Sequence, residues 1–131
     1  MVPSPKPNVP YRLSLALRYA SVARSQFEAD DLAARNVAAG NAVLAGIAAA
    51  DVLCTIYLEV RSASSDHSDA IELLNEVDRE AARDLTLVVR DKSRAHYGIA
   101  PLDKDTVKRM IRSMERLVQR AQDSAAGLKI Q

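Results

Sequence analysis

Between residues 36 and 58 the chain reads NVAAGNAVLAGIAAADVLCTIYL, a run that is apolar on nearly every side and carries one charge, Asp51. Alanine dominates it, and its larger side chains, Val43, Leu44, Ile47, Cys54 and Leu58, recur at three- and four-residue steps, so the pattern predicts a helix. A helix that is apolar all round has to be wrapped by others. Its length is near that of a membrane span, but Asn36, Asn41, Asp51 and Thr55 interrupt the run, which predicts the central helix of a soluble bundle and no membrane partner. Gly40 and Gly46 each weaken a helix by roughly 1 kcal/mol relative to alanine, so each is expected where a neighbouring backbone comes close.

The flanking pattern supplies the wrapping. Residues 11–29 intersperse Leu13, Leu17, Ala20, Val22, Ala23 and Phe27 with Arg12, Arg18 and Arg24, an amphipathic helix following Pro10. Residues 30–35 are polar and turn the chain into the central helix, which fades near Arg61. In the next turn, SASSDHSD, Ser65 or Asp66 is placed to cap a third helix carrying Ala70, Ile71, Leu73, Leu74 and Val77. A fourth helix is predicted from about 79 to 97, with Leu85, Val88, Val89 and Ala95 inward, Gly98 in the left-handed conformation as terminator and Pro101 beyond it. Asp103 caps a fifth, whose stripe of Val107, Met110, Ile111, Met114, Leu117, Val118 and Ala121 is the cleanest helical period in the chain. No strand pattern or repeat competes. The expected fold is all-α, an antiparallel bundle of four long helices plus one shorter helix over residues 11–126, with a flexible proline-rich lead-in at 1–10 and a tail at 127–131.

Composition adds a constraint on the core. With 48% hydrophobic but only 4% aromatic residues, the core has to be built from Ala, Leu, Val and Ile. The single cysteine, Cys54, lies inside the apolar helix, so an intramolecular disulfide and a thiolate zinc site are excluded and a reducing cytoplasm fits. The first ten residues, MVPSPKPNVP, lack the apolar stretch of a signal peptide and hold four of the five prolines.

Charge adds a direction. The net +1 hides a segregation: residues 1–40 hold five Lys/Arg against three Asp/Glu, residues 41–89 three against nine, and residues 90–131 ten against five. The basic last third suits a solvated surface or an anionic partner such as nucleic acid. Within it Arg109, Arg112, Arg116 and Arg120 form one stripe with Lys108 nearby, which reads as a phosphate track or as a solvent face paired with Glu115 or Asp123.

Candidate chemistry concentrates in RDKSRAHYG, residues 90–98, where four ionisable side chains and a histidine gather at a helix end. Read from the residues alone, His96 suits a helix C-terminus, where an imidazolium faces the last carbonyls, Arg90 suits an ion pair, and Asp91 a solvated surface. Six residues turn an ideal helix through about 600°, leaving Arg90 and His96 roughly 120° apart, so fraying near Gly98 or pairing across two subunits is needed to unite them. Asp51 requires a partner, since a carboxylate in an apolar helix costs several kcal/mol alone; Arg18, Arg90, Arg94 or a tyrosine hydroxyl are the candidates. His67 reads as a capping-turn residue. Two separated histidines do not make a metal site, and no glycine-rich phosphate loop or nucleophile elbow is present.

RDKSRAH resembles the Arg-x(4–6)-His motif of HEPN domains, in which the residue after the arginine is typically Asn, Asp or His. Together with AGIAAAD in the central helix, DHSDAIELL, KSRAHYG and a final helix containing MERLV, it is similar over residues 11–121 to small bacterial HEPN proteins. The resemblance implies an RNA-associated protein, a metal-independent ribonuclease of toxin–antitoxin type that leaves a cyclic phosphate. Arg90 would stabilise the phosphorane, His96 would move the proton of the 2′-hydroxyl or leaving oxygen, and Asp91 would orient the histidine. Lys92, Arg94, Tyr97, Arg112 and Arg116 would then contact RNA, with no cofactor. It further implies a homodimer whose active sites meet at the interface and a nucleotidyltransferase antitoxin as partner. Family members that have lost the motif serve as protein-interaction or ligand-binding modules, which is the alternative for this chain.

Overall fold

A computed structural model of the chain describes residues 1–63, 67–98 and 100–130. A two-residue strand, β1 (Val2–Pro3), and a 3₁₀ turn (Lys6–Asn8) lead into α1 (Val9–Ala29) and α2 (Leu32–Leu58). Strand β2 (Val60–Arg61), α3 (Ser68–Val77), α4 (Arg79–Val89), α5 (Lys92–Tyr97) and α6 (Lys104–Ile130) follow. The all-α bundle expected from the periodicity is what the chain forms.

α2 is the axis: it touches every other helix, and 17 of its 27 residues are buried, so the uniformly apolar run is wrapped as its composition demands. The helix is long and apolar enough to cross a membrane, yet 78% of its most apolar window is buried among the chain's own helices. Both helices of the α1–α2 pair bury alanines. Ala16, Ala20 and Ala23 of α1 are fully buried, as are Ala38, Ala42, Ala45 and Ala49 of α2, and small side chains let packed helix backbones approach closely. The larger volume comes from α6, whose expected stripe from Val107 to Ala121 is buried throughout, and from Leu74, Leu85 and Val88.

Helix directions follow from paired residues. The two-residue link Asp30–Asp31 makes α1 and α2 an antiparallel hairpin. Lys104 reaches Asp30 at 3.2 Å and the Leu102 amide donates to Asn36, while at the far end Tyr57 meets Ser124 at 3.1 Å, so α6 runs parallel to α2. Asp84 pairs with Arg116 and Asp78 with Arg120, which sets α4 antiparallel to α6.

Several boundaries differ from expectation for local reasons. The polar segment 30–35 is mostly helix: Asp30 is left-handed (φ 53°), and Asp31 accepts from the Ala34 amide at 2.8 Å to cap α2 at once. The proline-rich start contributes to the core, because Ser4 is fully buried, its hydroxyl meeting Thr55 at 2.7 Å and its amide donating to the Glu59 carbonyl, and Val9 is buried too. The caps assigned to Ser65 or Asp66 lie outside the described residues. The single helix expected over 79–97 is two, broken at Arg90 and Asp91, and Gly98 is extended (φ −69°, ψ 143°) rather than left-handed. Glycine is needed there for closeness: a Cβ would lie 2.6 Å from the Arg94 carbonyl oxygen. Gly40 and Gly46 admit side chains rather than a backbone, His96 over the first and Val88 over the second.

Candidate functional site: an arginine cleft

The end of α4 and the start of α6 enclose a cleft of about 220 Å³ lined by Arg90, Arg109, Arg112 and Arg116, with Asp91, Thr106 and Ser113 between them. Antiparallel packing explains the convergence. The arginines of α6 recur at three- and four-residue steps on one face, and α4 runs back along that face to deliver Arg90 opposite them. Arg116 is aimed by Asp84, to which its Nε donates at 3.0 Å, and by Ser113, which accepts from another guanidinium nitrogen at 3.0 Å. Asp84 is itself buried, and the charged pair keeps the guanidinium in one orientation. Arg109 donates to the Thr106 hydroxyl at 3.2 Å, and that hydroxyl donates to Asp103, which also caps α6 by accepting from the Thr106 amide. Those bonds from Thr106 hold the Asp103 carboxyl below its usual range. Arg112 is exposed and makes no ion pair among the described residues. The remainder of the stripe is structural: Arg120 is held by Asp78 and Glu80.

The expected site residues divide between this cleft and the far side of α5. Arg90, Asp91, Arg112 and Arg116 come together in the cleft. Asp91 receives Arg94 at 3.1 Å and lies 3.9 Å from Arg90 Nε, which makes Asp91 a tether for two arginines at the helix break. His96 lies elsewhere. Its Cε1 would be 3.0 Å from a Cβ built on Gly40, so the imidazole rests on the α2 backbone while remaining largely exposed. Tyr97 beside it is 82% exposed, its ring 6.0 Å from that of His96. Lys92 lines an adjoining cleft that shares Arg90. Within the chain Arg90 opens toward α6 while His96 turns to α2.

Asp51 lies apart from both. It is buried and pairs with Arg12 at 3.2 Å, in place of the Arg18, Arg90 or Arg94 expected, because the α1–α2 hairpin sets Arg12 opposite it. Burial pushes its carboxyl up to about 6, against the opposing charges of Arg12 and Arg61. One turn on, burial pushes the Cys54 thiol up to about 12, aided by the charges of Asp51 and Glu76, so this sulfur is a core side chain with no thiolate character at neutral pH.

No family model, curated protein or solved structure matches this chain. The chemistry available is therefore read from the cleft. Over an apolar base of Leu87 and Met110 its lining offers guanidinium and hydroxyl donors, with Asp91 the only carboxylate among the described residues, and such donors suit an anion. Among the described residues no group of three His, Cys, Asp or Glu side chains could hold a metal ion. Sequence reasoning passed over Asp84, Thr106 and Ser113. For Asp84 a signal was present: it shares a helical face with Ala81, Leu85 and Val88, a position where a carboxylate requires a cationic partner.

Proposed function

We propose that the chain is an RNA-associated, HEPN-like helical protein whose arginine cleft holds phosphate groups of a single strand. The observation that carries this reading is the convergence of Arg90, Arg109, Arg112 and Arg116 on one cleft, with Arg116 pre-oriented by a buried carboxylate. Arg112 is the most informative substitution, because it is exposed and lines the cleft without an ion pair among the described residues. Binding of a labelled single-stranded RNA, followed by fluorescence anisotropy at increasing salt, should weaken about 5–10-fold in Arg112→Ala, and its salt slope should fall by about 0.7 for the lost phosphate contact. Absence of RNA binding by the wild-type protein at about 50 mM salt would overturn the proposal.

A second reading, metal-independent ribonuclease activity through Arg90 and His96, is favoured by the solvent access of both and by the seating of the imidazole on Gly40. Since the two turn to different elements, this reading has a second copy complete the site. A two-fold homodimer would use exposed apolar side chains such as Val37 and Leu44 on α2, one turn to either side of Gly40. RNA cleavage in the presence of EDTA that falls roughly 10²-fold in both Arg90→Ala and His96→Ala supports it; cleavage unchanged in His96→Ala removes it. The non-catalytic alternative keeps the phosphate-binding cleft without turnover, and a nucleotidyltransferase antitoxin is the partner that the toxin reading proposes.

A further inference from the structure

The arginine cleft does not end at Arg90. This residue also lines a second space of about 370 Å³, together with Val89, Lys92 and Ser93, and with Ser68 and Ile71 of α3. The two spaces differ in chemistry. The first sets four guanidinium groups around Leu87 and Met110, whereas the second has Ile71 and Val89, both packed against the core, as its apolar wall, with His67 and Lys92 beside them and, among the described residues, no carboxylate in its lining. A polar anionic group and a flat, partly apolar group joined to it would fill the pair.

Charge narrows the anion. Across the two spaces four guanidinium groups and Lys92 face three carboxylates, Asp84, Asp91 and Asp103, the last of which acts on Arg109, so two positive charges are left over. A phosphodiester within a strand brings one negative charge. A phosphomonoester brings about 1.5 to 2 at pH 7 with three acceptor oxygens, which matches both the surplus and the donors converging from two helices. We propose that the joined clefts bind a nucleoside phosphomonoester, its phosphate on the arginines of α6 and its nucleoside against Ile71 and Val89, so that the protein engages RNA at a phosphate-bearing end. This rests on the RNA reading of the same cleft and specifies its substrate: an end rather than the interior of a strand. A free nucleotide offers the same chemistry, and the experiment separates the two sources.

Oligouridylate RNAs of about ten nucleotides, labelled at one end and carrying either a phosphate or a hydroxyl at the other, are compared by fluorescence anisotropy in both polarities. Uridine monophosphate and inorganic phosphate serve as competitors and are titrated calorimetrically. The expected result is at least a tenfold preference for one phosphate-ended strand, lost in Arg112→Ala. Ser93→Phe, which fills the second space from an exposed position, should weaken uridine monophosphate at least fivefold while leaving inorganic phosphate unchanged, with circular dichroism confirming the fold. Equal binding of phosphate- and hydroxyl-ended strands overturns end recognition while the RNA reading stands. Uridine monophosphate bound in an Arg112-dependent way, with neither strand bound, keeps the phosphomonoester site and removes RNA as its source. If uridine monophosphate binds no better than inorganic phosphate, the joined site is overturned.

Discussion

Asp51 shows how one residue ties the fold to pH. The folded chain holds this proton more tightly than the unfolded one, since its carboxyl is raised to about 6 from 3.8. The contribution to stability is therefore fully present below about pH 4 and is lost as pH rises through 6. Asp51→Asn, which keeps an oxygen for Arg12, should be about 1–3 kcal/mol more stable than wild type at pH 7 and equal to it near pH 4 in urea unfolding. A lower midpoint at pH 7 would show the ion pair to be net favourable instead. The two central glycines separate along similar lines. The three atoms nearest to a methyl at Gly40 all belong to the exposed ring of His96, which can swing away, so Gly40→Ala should gain about 0.5–1 kcal/mol from helix propensity. A methyl at Gly46 meets Val88 Cγ1 at 3.1 Å and Leu117 at 3.7 Å, both fully buried, so Gly46→Ala should lose about 1–3 kcal/mol. Thermal unfolding of the pair checks the opposite signs. From the sequence both glycines looked alike; what separates them is whether the atom across the gap is on the surface or in the core.

Among the elements, α4 depends most visibly on one residue. Asp78 accepts from the Glu80 and Ala81 amides at 3.0 and 3.1 Å while also pairing with Arg120, so it starts the helix and fastens it to α6. Asp78→Ala should cost about 1–2 kcal/mol, and Asp78→Asn, which can still cap, should restore most of it; equal losses in the two would assign the effect to the ion pair. The starts of α4 and α6 were legible, that of α6 because the capping Asp103 precedes an uninterrupted apolar period, but α6 runs on to Ile130 through the segment expected as a tail from residue 127. The break at Arg90 and Asp91 was not. Every residue from 79 to 97 is an acceptable helix former, and the interruption comes from Asp91 turning to Arg94 and from α5 docking on α2, through His96 on Gly40 and Asn36 donating to the Arg94 carbonyl. That break determines the candidate site, for it leaves Arg90 at the cleft and carries His96 to another face.

At the scale of the molecule, the segregation of charge becomes a local feature. The basic last third concentrates four arginines around one cleft, while the acidic middle supplies Asp78, Glu80 and Asp84, which hold Arg116 and Arg120 in place. The all-helical class followed directly from the hydrophobic period, but adjacency did not. Nothing in the periodicity of α2 and α6 states that they run parallel, and only partners such as Asp30 with Lys104 reveal it. That arrangement has a kinetic consequence. The α1–α2 hairpin closes over two residues, whereas the residues that join the hairpin to α6 are 67 and 74 positions apart in the chain, so the hairpin can form early and α6 has to find its groove across a long loop. Leu117→Ala, deep in the α6 stripe, should accordingly speed unfolding far more than it slows folding in stopped-flow denaturant jumps. Until the last helix docks, the most apolar segment of the chain is open to other chains, and refolding at high concentration should lose material to aggregation in that interval.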